Sequence, residues 1–301
     1  MNCSKITLFC IGALMLLSCR KPRTREKKTD TVTSELVKNT DDKMQDIAHP
    51  NSSGGVIVDE ELPISDDKPS NQVYFGDSLP IITDDKPSQI IKRLAYITSY
   101  NINTKNANWV TWHLTREHTT GKWSRDGVPY MVDEDVVGPR QELEDWYGHS
   151  LPIDHGHLCP AGDNKWSKEA MFETFYLTNM CPQNSSLNRG DWEELESKCR
   201  GWAKKYGDIY IVAGPIFYNA EYKIIGNNVG VPDAFFKVVL CYNKKPKALG
   251  FIYPNEHNNQ KMSHYLVSVD KVEEVSNIDF FTFLEDSIED KIEAKSNLNN
   301  W

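Results

Sequence analysis

The 301-residue chain is 39% hydrophobic and 26% charged, the composition of a soluble globular protein able to bury a sizeable core in one large or two modest domains. Its net charge of −9 argues against a protein that coats nucleic acid stoichiometrically, because phosphate neutralisation needs Lys and Arg. An enzyme with a local basic groove, which must release its product, stays open.

Lys5 supplies a positive start, and residues 6–17 form an apolar run broken only by Thr7, Cys10 and Gly12. That run is shorter than the ~20 residues of a comfortable membrane span and has the length of a signal-peptide core. It ends in Leu16-Leu17-Ser18-Cys19, which resembles the bacterial lipobox. Residues 1–18 are therefore expected to be a lipoprotein signal peptide, with Cys19 lipidated after cleavage; the alternative is an uncleaved anchor helix with an incidental Cys. Acyl chains contribute roughly 0.8 kcal/mol per buried CH₂, so two or three hold a protein durably. The expected location is outside the cytoplasm, anchored to a bacterial membrane (the outer membrane), facing periplasm or cell surface. Cleavage leaves Cys159, Cys181, Cys199 and Cys241, an even number where disulfides are permitted, with three possible pairings.

Residues 19–89 read as a lipid-anchored linker without a folded domain. Residues 20–28 are a basic run beside the lipid, followed by sequence rich in Asp, Ser, Thr, Asn and Pro. A short duplication lies within it: Leu62-Pro63-Ile64-Ser65-Asp66-Asp67-Lys68-Pro69-Ser70 recurs as Leu79-Pro80-Ile81-Ile82-Thr83-Asp84-Asp85-Lys86-Pro87-Ser88. Two copies are too few for a solenoid, and slippage in a tolerant linker accounts for them.

Order is expected from residue 90 to residue 301. Residues 96–100 and 109–114 are β-branched and aromatic with rough alternation, and 209–213, 235–241 and 248–253 are further strand candidates. Between them Trp192, Leu195, Cys199, Trp202 and Tyr206 recur at spacings of 3, 4, 3 and 4, which predicts a helix over 191–206. Strands and helices without a regular βαβ beat make an α+β domain.

The densest group of reactive side chains is Ile153-Asp154-His155-Gly156-His157-Leu158-Cys159-Pro160-Ala161-Gly162-Asp163. An extended chain would put His155, His157 and Cys159 on one face. That leaves three readings: satisfied core histidines, a His-x-His-x-Cys zinc site, or a His general base beside a phosphate-handling group. Downstream come Thr178-Asn179-Met180-Cys181-Pro182-Gln183 and Asn188-Arg189-Gly190-Asp191-Trp192, then Glu196 and Arg200 four apart on one helix face. By itself that last pair reads as a surface ion pair of a few tenths of a kcal/mol.

Together these motifs resemble the DNA/RNA non-specific endonuclease family of the ββα-metal (His-Me finger) class. The family's Asp-Arg-Gly-His corresponds to Asp154-His155-Gly156-His157, its Thr-Asn-x-x-Pro-Gln to Thr178–Gln183, and its Asn-x-Gly-x-Trp-x-x-Leu-Glu to Asn188–Glu196, with Arg200 four residues on. The resemblance runs from about residue 90 to the end, through Ala213-Gly214-Pro215-Ile216-Phe217, the 231–237 stretch, Tyr253-Pro254-Asn255 and Asp279-Phe280-Phe281. It implies a central, mainly antiparallel sheet flanked by helices. It also implies hydrolysis of DNA and RNA to 5′-phosphate products with Mg²⁺, or Mn²⁺ in its place. In that scheme His157 is the general base, Asn188 the single protein ligand of the metal, and Glu196 a holder of the metal through water. Arg200, Arg189, Asn179 and His155 are expected against the substrate. An unperturbed imidazole pKa of ~6.5 suits a base at neutral pH.

One departure stands out: His155 occupies the place of the family's Arg, which is charged at every working pH. The expectation is a slower enzyme or one favouring lower pH, with a non-catalytic nucleic-acid-binding lipoprotein as the alternative. The positions of Cys159 and Cys181, each just after a segment that flanks the family's site, lead to the expectation of a disulfide between them. The sequence does not bear on oligomeric state.

Overall fold

A computed structural model describes residues 79–301 apart from residues 244 and 258. The expected signal peptide, Cys19, the basic run and the first copy of the duplication lie outside the described residues.

The strands are β1 (Ile81–Ile82), β2 (Gln89–Lys92), β3 (Ile97–Asn101), β4 (Asn106–Thr115), β5 (Ile153–His157), β6 (Met180–Asn184), β7 (Asp208–Ile216), β8 (Ile224–Ile225), β9 (Val229–Gly230), β10 (Ala234–Cys241), β11 (Lys247–Pro254), β12 (Leu266–Val267) and β13 (Ile278–Asp279). The helices are α1 (Lys168–Glu173), α2 (Ser185–Asn188), α3 (Asp191–Tyr206), α4 (Val269–Ser276) and α5 (Asp286–Glu293). Seven strands form one antiparallel sheet in the order β12-β11-β10-β7-β4-β3-β2. This is the α+β architecture expected, and the five strands and the 191–206 helix read from the sequence are all present.

Strand side chains alternate between faces, and the sheet uses both. Ile209, Ile211 and Ala213 of β7 and Phe235 and Val239 of β10 join a core with Trp192, Leu195, Cys199 and Trp202 of α3. Their neighbours Tyr210, Val212, Phe236, Val238 and Leu240 join a second core with Val269 and Val272 of α4 and Ile292 of α5. Burial on both faces explains why β7 and β10 read as near-continuous apolar runs. Helix α3 has acids in its first turn (Asp191, Glu193, Glu194) and Lys204 and Lys205 in its last, matching the helix dipole at both ends. It stops at Gly207, whose φ of 101° suits a residue without Cβ.

The fold starts ahead of the expected boundary at residue 90. Ile81 and Ile82, in the second copy of the duplication, pair with Asp279 and Ile278 of β13. Lys86 Nζ donates to the Ser276 carbonyl, and Asn108 Nδ2 donates to the Pro87 carbonyl. This copy belongs to the domain, and its two-residue strand is too short to leave a periodic signal.

Candidate active site

Strands β5 and β6 pair antiparallel, with His155 opposite Pro182 and His157 opposite Met180. Gly156 permits the closeness of this pair, since a Cβ there would stand 2.5 Å from that of Gln183. Asn184 ends β6 and caps α2, its Oδ1 accepting from the backbone N–H of Ser186 and Leu187 at 2.9 and 3.4 Å. Helix α2 delivers Asn188, and the chain turns directly into α3. Trp192 Nε1 donates to the His157 carbonyl at 3.2 Å, tying α3 to β5. The apolar stripe of α3 faces the sheet, while Glu196 and Arg200 flank a cavity of about 720 Å³. His155, His157, Asn188 and Arg189 line the same cavity, joined by Lys122, Trp123, Arg125 and Tyr130 from the segment before β5 and by Lys165. The Glu196–Arg200 pair is therefore not a bland surface ion pair.

His157 is 7% exposed, with its ring edge-on to Phe175 at 5.0 Å. The ring hydrogen-bonds the His155 backbone, and Nε2 is buried without a partner among the described residues. Burial first, then the positive charge of Arg125, holds its pKa down to about 3. The imidazole is therefore neutral above that pH, well below the unperturbed ~6.5 expected of the base, and it keeps an unpartnered Nε2 on a residue that lines the cavity.

Asp154 organises the next residues. It accepts Asn188 Nδ2 at 3.0 Å, Arg189 Nε and Nη2 at 2.7 Å each, and Ser185 Oγ at 2.9 Å. Commitment of the Asn188 amide nitrogen fixes that amide's orientation, because only its oxygen can then accept. Asn188 Oδ1 is left without a hydrogen bond among the described residues, the kind of oxygen a hard cation takes.

Arg200 Nη1 donates to Asp163 Oδ1 at 3.1 Å, lies 4.0 Å from Glu196 Oε2, and its Nη2 donates to Ser197 Oγ. Gly162 makes room for it: a Cβ there would stand 2.9 Å from Nη1. Asp163 also accepts Trp112 Nε1 at 3.0 Å. Burial pushes Glu196 up to about 7, against the pull of Lys237, while Asp163 adds to the rise. Lys237 is fully buried on β10, with Nζ 4.2 Å from the Trp192 ring centroid, 5.4 Å from that of Trp112, and no hydrogen-bond partner among the described residues.

Four expectations change. His155 lines the cavity, but its ring is stacked between Trp146 at 3.8 Å and Tyr130 at 4.0 Å, and burial lowers its pKa to about 4. At neutral pH it carries no charge to offer a phosphate. Asn179 does not reach the cavity; it is fully buried, its Nδ2 donating to the Cys159 and Thr174 carbonyls and its Oδ1 accepting from Cys159 N. Cys159 and Cys181 are both free thiols: Asn164 Nδ2 donates to Cys159 Sγ at 3.4 Å, and the Cys181 thiol bonds the Ala107 backbone. The zinc reading loses its geometry as well, because β5 ends at His157 and Cys159 turns into the core. Sequence reasoning assigned no role to Asp163, Arg125, Tyr130, Trp146 or Lys237, nor to Asp154 as a hub. Only Lys237 left a signal, as a charge at an inward position between Phe235 and Val239.

A model of the DNA/RNA non-specific endonuclease family matches residues 81–287. Nuclease C1 of Cunninghamella echinulata is 36% identical over 212 residues, covering 65% of this chain and 83% of its own. The mitochondrial nuclease of Saccharomyces cerevisiae is 35% identical over 208 residues, covering 60% of this chain and 62% of its own. Bovine mitochondrial endonuclease G is 30% identical over 208 residues, at 64% and 69%. Among solved structures, one from a complex of EndoG with its inhibitor EndoGI aligns with a TM-score of 0.62 at 27% identity, over 66% of this chain and 89% of that one.

Proposed function

From the premise that the chain belongs to the DNA/RNA non-specific endonuclease family and is a nuclease, we propose that it hydrolyses phosphodiester bonds of DNA and RNA without sequence preference, leaving 5′-phosphates, with His157 as general base and a divalent cation, Mg²⁺ or Mn²⁺, at Asn188. The observation that carries this reading is that two residues lining one cavity, His157 and Asn188, each keep an atom, Nε2 and Oδ1, without a hydrogen-bond partner among the described residues. When bound, the cation supplies charge neutralisation for the phosphate and the departing 3′ oxygen. Asn188 Oδ1 would hold it, with Glu196 acting through a water.

The chain's own groups do the rest. His157 Nε2 takes a proton from the attacking water, whose oxygen bonds to phosphorus as the bond to the 3′ oxygen breaks. The hydrogen bond to the His155 backbone and the edge-on Phe175 ring hold the imidazole, while Trp192 holds the His157 backbone through its carbonyl. Arg125, Lys122 and Lys165 give the cavity positive charge despite the chain's net charge of −9. Arg200, anchored by Asp163, and Arg189, anchored by Asp154, present guanidinium groups in fixed directions suited to phosphate oxygens. His155 serves as a neutral plate between two aromatic rings, so the charge the family draws from that position must come from these arginines.

His157→Ala should lower the rate ~10²–10⁴-fold, as loss of a general base does, with DNA binding in Ca²⁺ nearly unchanged. EDTA should abolish cutting by the wild type. Retention of half the activity by His157→Ala, or cutting that resists EDTA, would sink the assignment.

We also propose export and lipid anchoring through Cys19. Among the described residues no helix is long and apolar enough to cross a membrane. Metabolic labelling with radioactive palmitate should mark the wild type and not Cys19→Ala; equal labelling of both refutes it.

A further inference from the structure

On the opposite side of the main sheet from the cavity, Asp270 and Glu273 of α4 and Glu293 at the last position of α5 converge. One carboxylate oxygen from each lies within 4.8 Å of the others. Such crowding on a surface is common and means little, because water screens it. Here the innermost member is 5% exposed, and its Oε1 has no hydrogen-bond partner among the described residues. Glu273 Oε1 has a partner, the backbone N–H of Phe280 at 2.9 Å, which holds that side chain in place. Among the described residues none of the three makes an ion pair with Lys or Arg. The lysine nearest in sequence, Lys271, is engaged by Glu274 at 2.9 Å. In the catalytic layer, by contrast, Asp154 has Arg189 and Asp163 has Arg200.

Buried carboxylates need a compensating charge or a proton. We propose that Asp270, Glu273 and Glu293 bind a hard divalent cation, Ca²⁺ in preference to Mg²⁺, which clamps α5 to α4 as a structural site separate from the catalytic one. The ligands are all oxygens, and two come from one helix face while the third comes from another element. Ca²⁺ tolerates such irregular, mixed mono- and bidentate carboxylate ligation, whereas Mg²⁺ demands near-ideal octahedral geometry and gives up water reluctantly. Glu293 supplies the buried ligand, Glu273 is pre-aimed by the Phe280 N–H, and Asp270 completes the set one helical turn away. The clamp fastens the layer that contains β13, and through β13 the strand β1.

The test is thermal unfolding of the full chain, stripped of metal, in EDTA and in rising CaCl₂ or MgCl₂. Asn188→Ala serves as the background in which the proposed catalytic cation site is removed. Ca²⁺ should raise the Tm of the wild type and of Asn188→Ala alike, by about 5–10 °C at ~100-fold above the dissociation constant. Mg²⁺ should give a smaller gain. Glu293→Gln should lose the Ca²⁺ gain and melt higher than the wild type in EDTA, where it relieves repulsion among unclamped carboxylates, so the two curves cross. Asp270→Asn, at the outer edge, keeps the test decisive if Glu293→Gln does not fold: it should shift the Ca²⁺ titration to higher concentration. The proposal is overturned by a wild type indifferent to Ca²⁺, which means protons neutralise the cluster, or by variants that gain as much as the wild type. A Mg²⁺ gain equal to that of Ca²⁺ overturns the preference. Because Asn188→Ala retains the gain, failure here is distinguishable from failure of the catalytic assignment.

Discussion

Replacing Asp154 by Asn removes one charge and one acceptor oxygen from the point where three residues meet. The carboxylate accepts four hydrogen bonds, one each from Ser185 and Asn188 and two from Arg189. An amide has one acceptor oxygen, and its NH₂ group can only donate. Placed beside Asn188, that NH₂ favours the flipped amide, with Asn188 Oδ1 turned inward and Nδ2 presented to the cation instead. Groups that orient a metal ligand typically contribute 10–100-fold to metal affinity. The half-saturating Mg²⁺ concentration should therefore rise by about that factor, while the rate at saturating Mg²⁺ stays within a few-fold of wild type. Stability should change little. The Arg189 side chain is 73% exposed although that of Asp154 is only 16% exposed; with one partner in solvent the pair contributes about 1 kcal/mol, or roughly 2–4 °C of Tm in a domain of this size. The assay is initial-rate plasmid nicking against Mg²⁺ concentration at fixed ionic strength, since phosphate contacts are salt-sensitive. A Mg²⁺ dependence that superimposes on the wild type's would refute the orienting role, and so would a variant that only unfolds.

Glu196 is held near 7 and His157 near 3, so the acid limb of the rate profile should reflect Glu196: activity falls as pH drops through about 7 and the carboxylate gains a proton. Lys237→Met removes a positive charge that favours the Glu196 carboxylate, and the limb should move to higher pH; an unmoved limb would exclude the coupling. His155→Arg should change the rate by a similar factor from pH 6 to 9, because a histidine held near 4 is neutral throughout that window. A ratio of variant to wild type that climbs steeply with pH would show that His155 titrates near neutrality after all. Cys159, Cys181, Cys199 and Cys241 should alkylate completely in denaturant without reductant, and a cross-linked Cys159–Cys181 peptide in mass spectra refutes the free thiols.

What the sequence made legible was what depends on local periodicity. Alternation in 209–213 and 235–241, and the 3-4 spacing from Trp192 to Tyr206, are consequences of which face each element buries, and they survive in the letters. Order of motifs likewise carried His157, Asn188, Glu196 and Arg200 to one cavity. The fate of His155 was hidden because Trp146 and Tyr130, its two stacking partners, come from a segment with no pattern of its own. Asn179 stands in the motif for a reason that burial alone discloses, since it ties down the Cys159 backbone after β5 ends. The strand β1 escaped notice because a two-residue pairing with β13, almost two hundred residues away in sequence, has no local signature.

The division of consecutive residues between two cores has a consequence for how such a protein can change. Ile211 packs in one layer and Val212 in the other, as do Phe235 and Phe236. Side chains of the α3 layer and of the α4–α5 layer that lie more than about 7–10 Å apart and share no partners combine nearly additively, so substitutions in the two helical layers are largely independent. Drift among Val269, Val272 and Ile292 acts on the packing of one layer, whereas drift in the 121–130 segment acts on the wall of the cavity on the other. A population can therefore redraw the α4–α5 layer, or graft new C-terminal sequence onto it, while the nuclease layer keeps its chemistry, and a directed-evolution library can randomise either side without first solving the other.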